Sequence, residues 1–372
     1  MIKLLEKYGY FPRVAVWELT LRCNLSCLHC GSRAGKPRDD ELNLAEALQL
    51  CEDLAALKCR HMTLGGGEPL LRADWPIITE KLVDLGVTVG MVTNGMLWSA
   101  QTAHTARTVG LESVAFSVDG FEVAHDHLRH SKGLWRKVLN AIDVSKAAGM
   151  NVSVVTTVYE RNKDDLEALR KLLDEHGVDR WQIQLGTTTG NFSDHRDLAL
   201  QPEQLLDLVP RIAAMCRDGR KPKVYVGHDV GYYGEPEERL RDPNDPIPVW
   251  TGCPAGCSII GIESNGNIKG CLSLPSARNG EDLFVEGNLR QKSLEEIWKA
   301  EDAFAYNRKF TTEQLSGFCR TCDYAEICRG GCTWTKFSQD KMLKDNEHCY
   351  FRQLTLKQRA EADSKHVHLP VS

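Results

Sequence analysis

The chain has 372 residues, 14 of them cysteine, and a formal net charge of −5. This mild acidity gives no support to a nucleic-acid-binding surface, which is basic, and the cysteine content is well below that of small secreted disulfide scaffolds. No apolar run approaches the roughly 20 residues of a membrane helix, and the N-terminal MIKLLEKYGYFPR lacks the apolar core of a signal peptide. We therefore expect a cytoplasmic protein that binds neither nucleic acid nor membrane, with thiols that serve metal binding, catalysis or packing.

Short β-branched runs alternate with helical patterns over the first two-thirds of the chain. Six such β–α units predict a parallel sheet with helices outside and right-handed crossovers. Because a closed eightfold barrel usually needs about 250 residues, the predicted fold class is α/β, a partial (β/α)6 barrel of the TIM type, with ligands at the carboxyl ends of its strands. The strands are predicted at 14–19, 61–69 (including a glycine turn), 87–95, 112–120, 151–159 and 180–186, and the helices at about 43–57, 73–85, 99–109, 133–149, 163–176 and 202–218.

The first cysteine motif follows the first predicted strand, as Cys23-x3-Cys27-x2-Cys30. Three thiolates on one tight loop suit three irons of a cubane 4Fe–4S cluster and leave the fourth iron open for another ligand. Structural zinc is the alternative, but zinc sites almost always have four protein ligands. His29 lies between two of the cysteines, where its reach toward a shared zinc ion is poor.

This loop, placed after the first strand of an incomplete barrel, resembles the radical SAM superfamily. The resemblance implies S-adenosylmethionine (SAM) on the open iron, a one-electron reductant such as flavodoxin or ferredoxin, and a 5′-deoxyadenosyl radical that abstracts hydrogen. His29 stands where the family usually has an aromatic residue.

The resemblance also implies SAM contacts at the strand ends. The turn Gly65-Gly66-Gly67-Glu68-Pro69 resembles the motif that binds the methionine amino group in this family, although a tight β–α turn is the simpler interpretation. Turn chemistry, a solvated arginine and ordinary barrel filling are the alternatives for the others. These further expected SAM-binding residues are Asn94, Ser117, Asp119, Arg129 and Gln184, and Thr156 is a weaker candidate.

Eight more cysteines follow from residue 253, enough for full ligation of two cubane clusters. Their spacing resembles the SPASM domain that follows many radical SAM barrels, and the resemblance then covers about 10–350. It implies three 4Fe–4S clusters in all, with crossed auxiliary ligand sets; two consecutive sets are the simple alternative. The implied sets are Cys253, Cys257, Cys271 and Cys332 for one cluster, and Cys319, Cys322, Cys328 and Cys349 for the other.

The predicted domains are a radical SAM barrel at 1–226, a linker at 227–252, a SPASM domain at 253–355 and a tail at 356–372. Three cysteines remain for core packing, although some radical SAM peptide epimerases use a thiol as hydrogen donor. Residues 186–250 are the expected substrate-facing stretch. The spare cysteines are Cys51, Cys59 and Cys216, and the acid–base candidates in that stretch, each more simply a solvated loop residue, are His195, His228, Asp229, Tyr232 and Tyr233.

The resemblance implies a radical SAM oxidoreductase, and its SPASM group consists mostly of peptide and protein maturases. Our leading hypothesis is therefore modification of a ribosomal peptide by crosslinking, oxidation or epimerisation. Because the first cluster cysteine is residue 23, we expect no leader-binding domain ahead of it, so that a separate partner protein recognises any leader. The alternatives are oxidation or decarboxylation of a small molecule such as a tetrapyrrole side chain, and an iron–sulfur electron carrier, which needs no open iron.

Overall fold

The computed structural model describes residues 2–242, 244, 247–275 and 283–366. Within these residues one ten-stranded sheet runs through the molecule in the order β10-β9-β8-β1-β2-β3-β4-β5-β6-β7. The strands are β1 Val14–Thr20, β2 His61–Gly66, β3 Thr88–Thr93, β4 Ser113–Ser117, β5 Asn151–Val158, β6 Arg180–Leu185, β7 Lys223–Val226, β8 Ile259–Ile262, β9 Asn267–Lys269 and β10 Gly287–Asn288.

Every neighbouring pair from β8 through β1 to β7 is parallel, which confirms the predicted parallel α/β barrel. The prediction of six strands was too low, because β7 and β8 also join the parallel sheet. Both have only four residues, too short a run for a clear periodic pattern.

The longer helices between the strands each bury apolar residues on one face. Asn43 and Glu46 form the predicted capping box at the first long helix, which buries Ala47, Leu50 and Cys51. The helices are α1 Ile2–Tyr8, α2 Leu44–Ala56, α3 Trp75–Asp84, α4 Ala100–Thr108, α5 Glu122–Arg129, α6 Leu134–Ala147, α7 Leu166–Glu175, α8 Leu205–Cys216, α9 Glu237–Leu240, α10 Leu294–Lys299, α11 Ala305–Arg308, α12 Gly317–Arg320, α13 Ala325–Cys328, α14 Thr333–Asp340 and α15 Tyr350–His366.

The carboxyl-terminal third is joined to the barrel through this same sheet. Strand β8 lies beside β1, with Val14 opposite Ile259, and β9 and β10 extend the sheet in antiparallel fashion. The predicted linker at 227–252 contains α9 and buries Tyr232 and Trp250, so its described part is packed rather than free. The predicted tail from residue 356 continues α15 as far as His366.

The helices offer no candidate for a membrane span: within the described part of the chain, none combines sufficient length with sufficient hydrophobicity.

Candidate functional site

The loop at 23–30 leaves the carboxyl end of β1 and carries the first three cysteines. Asn191 holds this loop with two donors, because its N–H donates to the Cys30 carbonyl and its Nδ2 to the Cys27 carbonyl, both at 2.9 Å. Burial raises the pKa of the Cys27 thiol to about 11, and the nearby Cys23 and Cys30 thiols also raise it. The structure therefore brings the three thiols together on a braced loop. Sequence reasoning missed Asn191, whose partners are distant in the chain.

Glu68 lies under the loop and is completely buried. Its carboxylate accepts from the Thr93 hydroxyl at 2.7 Å and from the Asn94 N–H at 2.9 Å, while Pro69 begins a short 3₁₀ turn. The Asn94 side chain in turn donates from Nδ2 to Asn24 Oδ1 at 2.7 Å. Glu68 and Asn94 therefore brace the ends of two strands and the cysteine loop, and their contacts with SAM stay a prediction.

The glycine turn at 65–67 lies at the carboxyl end of β2 and leaves space beside its backbone. Gly67 packs so closely on β1 that a Cβ built there would lie 2.2 Å from the Arg22 carbonyl oxygen, and Gly66 has a φ of +124°. Gly65 is buried, yet a Cβ built there meets no atom within 4 Å. A buried glycine that faces open space is suited to a ligand that approaches the backbone closely. These residues thus fit the methionine end of SAM.

An ion pair stands beside the loop. Asp119 is fully buried and accepts from Arg129 Nε at 2.7 Å and from the Thr157 N–H at 2.8 Å. Burial is the largest single effect and would raise the pKa of the Asp119 carboxyl, but Arg129, the two nearby histidines and the Thr157 N–H together outweigh it, so the pKa lies below its usual value. Arg129 also lowers the pKa of the Cys27 thiol, so this cation stabilises the thiolate that iron ligation requires. Arg129 is therefore part of a buried network and not a solvated surface residue.

Burial also acts on two imidazoles of this network. It lowers the pKa of His29 to about 4, with Arg129 acting in the same direction, and the His29 Nε2 lies 4.0 Å from the Asp119 carboxylate. His125 accepts from the Asp119 N–H through Nδ1 at 3.0 Å, and burial lowers its pKa to about 4. Both rings are therefore neutral near pH 7.

The remaining expected SAM contacts lie on neighbouring strand ends. Ser117 ends β4 and is buried. Gln184 lies on β6 and donates from Nε2 to the Thr157 hydroxyl at 3.3 Å. Thr156 is occupied within the barrel, since it donates to the Val118 carbonyl at 2.6 Å and accepts from Trp181 Nε1.

A cleft of about 550 Å³ opens beside the cysteine loop, between the barrel end and the cysteine-rich third of the chain. Four cations and two carboxylates face it, and both carboxylates pair with Arg38. The charged lining residues are Arg33, Arg38, Arg196, Lys341, Glu18 and Glu263, and its apolar side includes Leu272, Leu274, Pro275, Leu283, Phe284 and Phe337.

The later cysteines gather into two groups that cross in sequence. Cys253 and Cys332 are in hydrogen-bonding contact. Burial raises the pKa values of Cys257 and Cys271, and the nearby charge of Cys253 raises them further. We call these four cysteines the first auxiliary set.

The second auxiliary set consists of Cys319, Cys322, Cys328 and Cys349, which line one small cavity together. Burial raises the pKa of Cys328, and the other three thiols add to the effect. These contacts join cysteines of the same crossed group, and the crossed ligand sets stay a prediction, because the described residues contain no group of three or more Cys, His, Asp or Glu side chains already arranged to hold a metal ion.

A buried lysine lies between the two auxiliary sets. Lys336 is 3% exposed and donates from Nζ to the Arg329 carbonyl at 2.8 Å. Burial lowers its pKa, and cysteine charges from both sets oppose that effect. These cysteines are Cys253, Cys332, Cys319 and Cys328.

The five acid–base candidates at 195–233 are not among the described residues that line the cleft. Asp229 is buried and accepts from the Leu185 N–H at 2.8 Å, and burial raises its pKa to about 7. Tyr232 donates to the His228 carbonyl at 2.6 Å. Of the spare cysteines, Cys51 and Cys59 are buried as core residues and Cys216 is partly exposed.

Comparison with known proteins identifies the two parts of the chain. Residues 17–173 match the Radical SAM superfamily, and residues 253–323 match SPASM, an iron–sulfur cluster-binding domain. These matches cover the first cysteine loop and the start of the cysteine-rich third. They imply 4Fe–4S clusters and SAM as cofactors.

Curated relatives are about one-quarter identical and similar in length. The AdoMet-dependent heme synthase of Methanosarcina barkeri is 26% identical over 92% of this chain and 97% of its own. The pre-heme d1 synthase of Dinoroseobacter shibae is 26% identical over 85% of this chain and 80% of its own. The mycofactocin maturase MftC of Mycobacterium tuberculosis is also 26% identical, over 91% and 82% respectively.

Solved structures share the fold. Streptococcus suis SuiB bound to the precursor peptide SuiA superposes with a TM-score of 0.72 at 15% identity, over 92% of this chain and 77% of that chain. The fold and the two matched domains agree with each other. The chain belongs to the radical SAM superfamily and is a radical SAM enzyme with a SPASM domain.

Proposed function

We propose that this enzyme oxidises a carboxylate-bearing tetrapyrrole that binds in the cleft. The observation that carries the proposal is the cleft lining, in which an apolar wall faces cationic side chains beside the cysteine loop. When bound, the first cluster and SAM supply a 5′-deoxyadenosyl radical that abstracts hydrogen.

The cleft favours an anionic substrate. Arg38 is balanced by Glu18 and Glu263, whereas Arg33 pairs with the half-exposed Asp194 and Arg196 is exposed. Arginine forks bind carboxylates in a bidentate geometry. Carboxylate side chains of a substrate can therefore bind here by displacing weak surface contacts, which contribute little stability.

The opposite wall favours a large apolar body. Phe284 and Phe337 meet edge to face at 5.1 Å, and both line the cleft. Aromatic walls with a few placed polar groups are typical of cofactor-sized ligand sites. A tetrapyrrole with ionised side chains has both features, and the names of two of the relatives above, a heme synthase and a pre-heme d1 synthase, support this substrate class.

The test uses anaerobically reconstituted, reduced enzyme with SAM and iron coproporphyrin III, a tetracarboxylate, or its uncharged tetramethyl ester. We expect 5′-deoxyadenosine and a product of changed mass from the tetracarboxylate only. We also expect Arg196→Glu to weaken tetracarboxylate binding, with exposed Arg136→Glu as the matched control. Equal turnover of acid and ester contradicts the cleft assignment, and no 5′-deoxyadenosine under any condition contradicts radical chemistry.

A peptide substrate is the second candidate. It is supported by the similarity to a mycofactocin maturase. Under this candidate function, a separate partner protein binds the leader of the peptide. A mass change in a candidate peptide, without any change in the tetrapyrrole, favours it. Loss of two hydrogens indicates a crosslink or oxidation, and a one-dalton gain in deuterated water indicates epimerisation.

The proposed cofactor content is three 4Fe–4S clusters, reduced by a flavodoxin or ferredoxin. Its support is the gathering of eleven cysteines into one loop of three and two sets of four. Anaerobic iron analysis should therefore give about 12 Fe per chain, and about 8 after Cys23, Cys27 and Cys30 are changed to Ala. The same variant should lose SAM cleavage. About 4 Fe in the unmodified enzyme contradicts the auxiliary clusters.

A further inference from the structure

Tyr306 connects the wall of the cleft with the first auxiliary set. Its ring meets Phe284 edge to face, with centroids 5.4 Å apart, and Phe284 in turn meets Phe337. Phe284 and Phe337 line the cleft, whereas Tyr306 lies behind them. Three rings thus lead from the cleft into the cysteine-rich third.

The Tyr306 hydroxyl faces the first auxiliary set. A Cβ built on Gly270 would lie 2.3 Å from the Tyr306 oxygen, and Gly270 directly precedes Cys271. Burial raises the pKa of Tyr306, and Glu286, Cys253 and Cys271 raise it further. Because Gly270 has no side chain, the Tyr306 hydroxyl can lie beside these thiols.

This hydroxyl is buried and its proton has no acceptor among the described residues, although the Gly270 backbone N–H approaches its oxygen and lowers the pKa of Tyr306. Leaving such a group unsatisfied costs about 1–3 kcal/mol, so a buried hydroxyl of this kind indicates a partner that the protein itself does not supply. The adjacent thiols identify the chemistry of that partner, because cluster sulfurs accept hydrogen bonds.

We propose that the Tyr306 hydroxyl donates a hydrogen bond to a sulfur of the cluster held by the first auxiliary set and raises its reduction potential. The inference rests on the auxiliary clusters of the proposed function. Reduction makes a cluster more negative, so a donor stabilises the reduced state and favours electron uptake. Tyr306 is a positioning residue that makes and breaks no covalent bond. Its effect is to make the cluster nearest the cleft wall the better acceptor of an electron from the substrate.

The test is Tyr306→Phe in the holoenzyme, since phenylalanine keeps the ring contact and removes the donor. We expect the midpoint potential of one auxiliary cluster to fall, measured by EPR-monitored redox titration, with the other clusters unchanged. After exchange into D2O, electron–nuclear double resonance should show a deuteron coupled to that cluster in the native enzyme and lost in the variant. Tyr8→Phe, on a 75% exposed side chain, is the matched control.

Biosynthetic replacement of tyrosine by 3-fluorotyrosine, a stronger donor, provides a second measurement that needs no mutation. It should raise the same potential in the native sequence and leave it unchanged in Tyr306→Phe. An unchanged potential in both experiments overturns the inference, as does an equal shift of all clusters. Iron analysis separates this failure from that of the proposed function, because absence of the first auxiliary cluster appears as about 8 Fe or fewer.

Discussion

The first cysteine loop and the auxiliary sets, which we propose bind the same kind of cluster, lie in different structural settings. The loop takes three cysteines from eight consecutive residues, 23–30, and is braced by ordinary hydrogen bonds from Asn94 and Asn191. The auxiliary sets draw their cysteines from 253–349, where the helices within that range have eight residues or fewer. A short helix has little stability of its own.

The difference shows where metal is needed for folding. Next to the first loop, the protein supplies its own counter-charge in a buried ion pair and its own large core of parallel strands. Around the auxiliary sets, Lys336 is buried among thiols of two groups. We therefore expect the barrel to remain folded without iron. The cysteine-rich third should need iron to fold, since metal ligation supplies folding free energy at such sites.

Removal of iron should produce the largest effect. After anaerobic chelation, hydrogen exchange should accelerate across the described residues of 253–349, while β2 to β6 remain protected, because none of these strands contains a cysteine. Hydrogen–deuterium exchange with mass spectrometry checks this. Equal loss of protection in both regions contradicts the comparison.

Arg129→Leu should be the most damaging single change at the barrel end. It leaves the fully buried Asp119 without its cation, and breaking such a pair costs about 3–5 kcal/mol. Chemical denaturation of the holoenzyme, followed by tryptophan fluorescence, measures the loss. The neighbouring Arg136–Glu122 pair has a 75% exposed arginine, so Arg136→Leu should cost under about 1 kcal/mol. Similar losses in the two variants would show that Asp119 does not depend on Arg129.

The neutral His125 should make barrel stability depend on pH. The unfolded imidazole binds a proton near pH 6.5, but burial keeps the folded ring neutral down to about pH 4. Its contribution is therefore complete above pH 6.5 and is lost as pH falls toward 4. Between pH 7 and pH 5 the loss is about 2 kcal/mol. His125→Asn, which keeps an acceptor for the Asp119 N–H, should flatten this slope in denaturation measured at both pH values; an unchanged slope excludes His125 as its source.

The smallest effect concerns the outer helices. Asn43→Ala removes the N-cap of α2, whose side chain accepts from the Glu46 N–H at 3.0 Å, and should cost about 1 kcal/mol. Thermal unfolding of the holoenzyme checks the change, and Ser99→Ala at the cap of α4 should cost a similar amount. A loss several times larger would mean that α2 also supports the cysteine-rich third.

The sequence predicted those parts of the fold that local patterns encode. Strands β1 to β6 are long enough to show β-branched runs, and the capping box marks the start of α2. The short β8 has no such pattern and becomes a strand only by pairing with β1. Helix α5 was missed because its eight residues, EVAHDHLR, form little more than two turns, which is too short a segment for a clear periodic pattern.

In the candidate site, too, local patterns were predictable and contacts between distant segments were not. Cysteine spacing marked the three cysteines of the first loop and the eight later cysteines as candidate cluster ligands, but only the resemblance to the SPASM domain favoured the crossed division of the later eight. The contacts of Glu68, Asn24 and Asn191 were not predictable, since each partner lies on another strand or loop. Gly190 is a weak sequence signal for one of these contacts. A Cβ built on Gly190 would lie 2.2 Å from the Cys30 carbonyl oxygen, so close packing on the cysteine loop requires glycine.

The pairing of β8 with β1 has a consequence for biosynthesis. On the ribosome, β1 emerges before the other strands of the described sheet, and one of its edges stays unpaired until residues 259–262 have been made. Such a long-range pairing slows folding, and an open strand edge invites pairing with another chain. The nascent barrel is therefore exposed to aggregation through most of its synthesis, and a chaperone that covers the β1 edge should increase the yield of active enzyme.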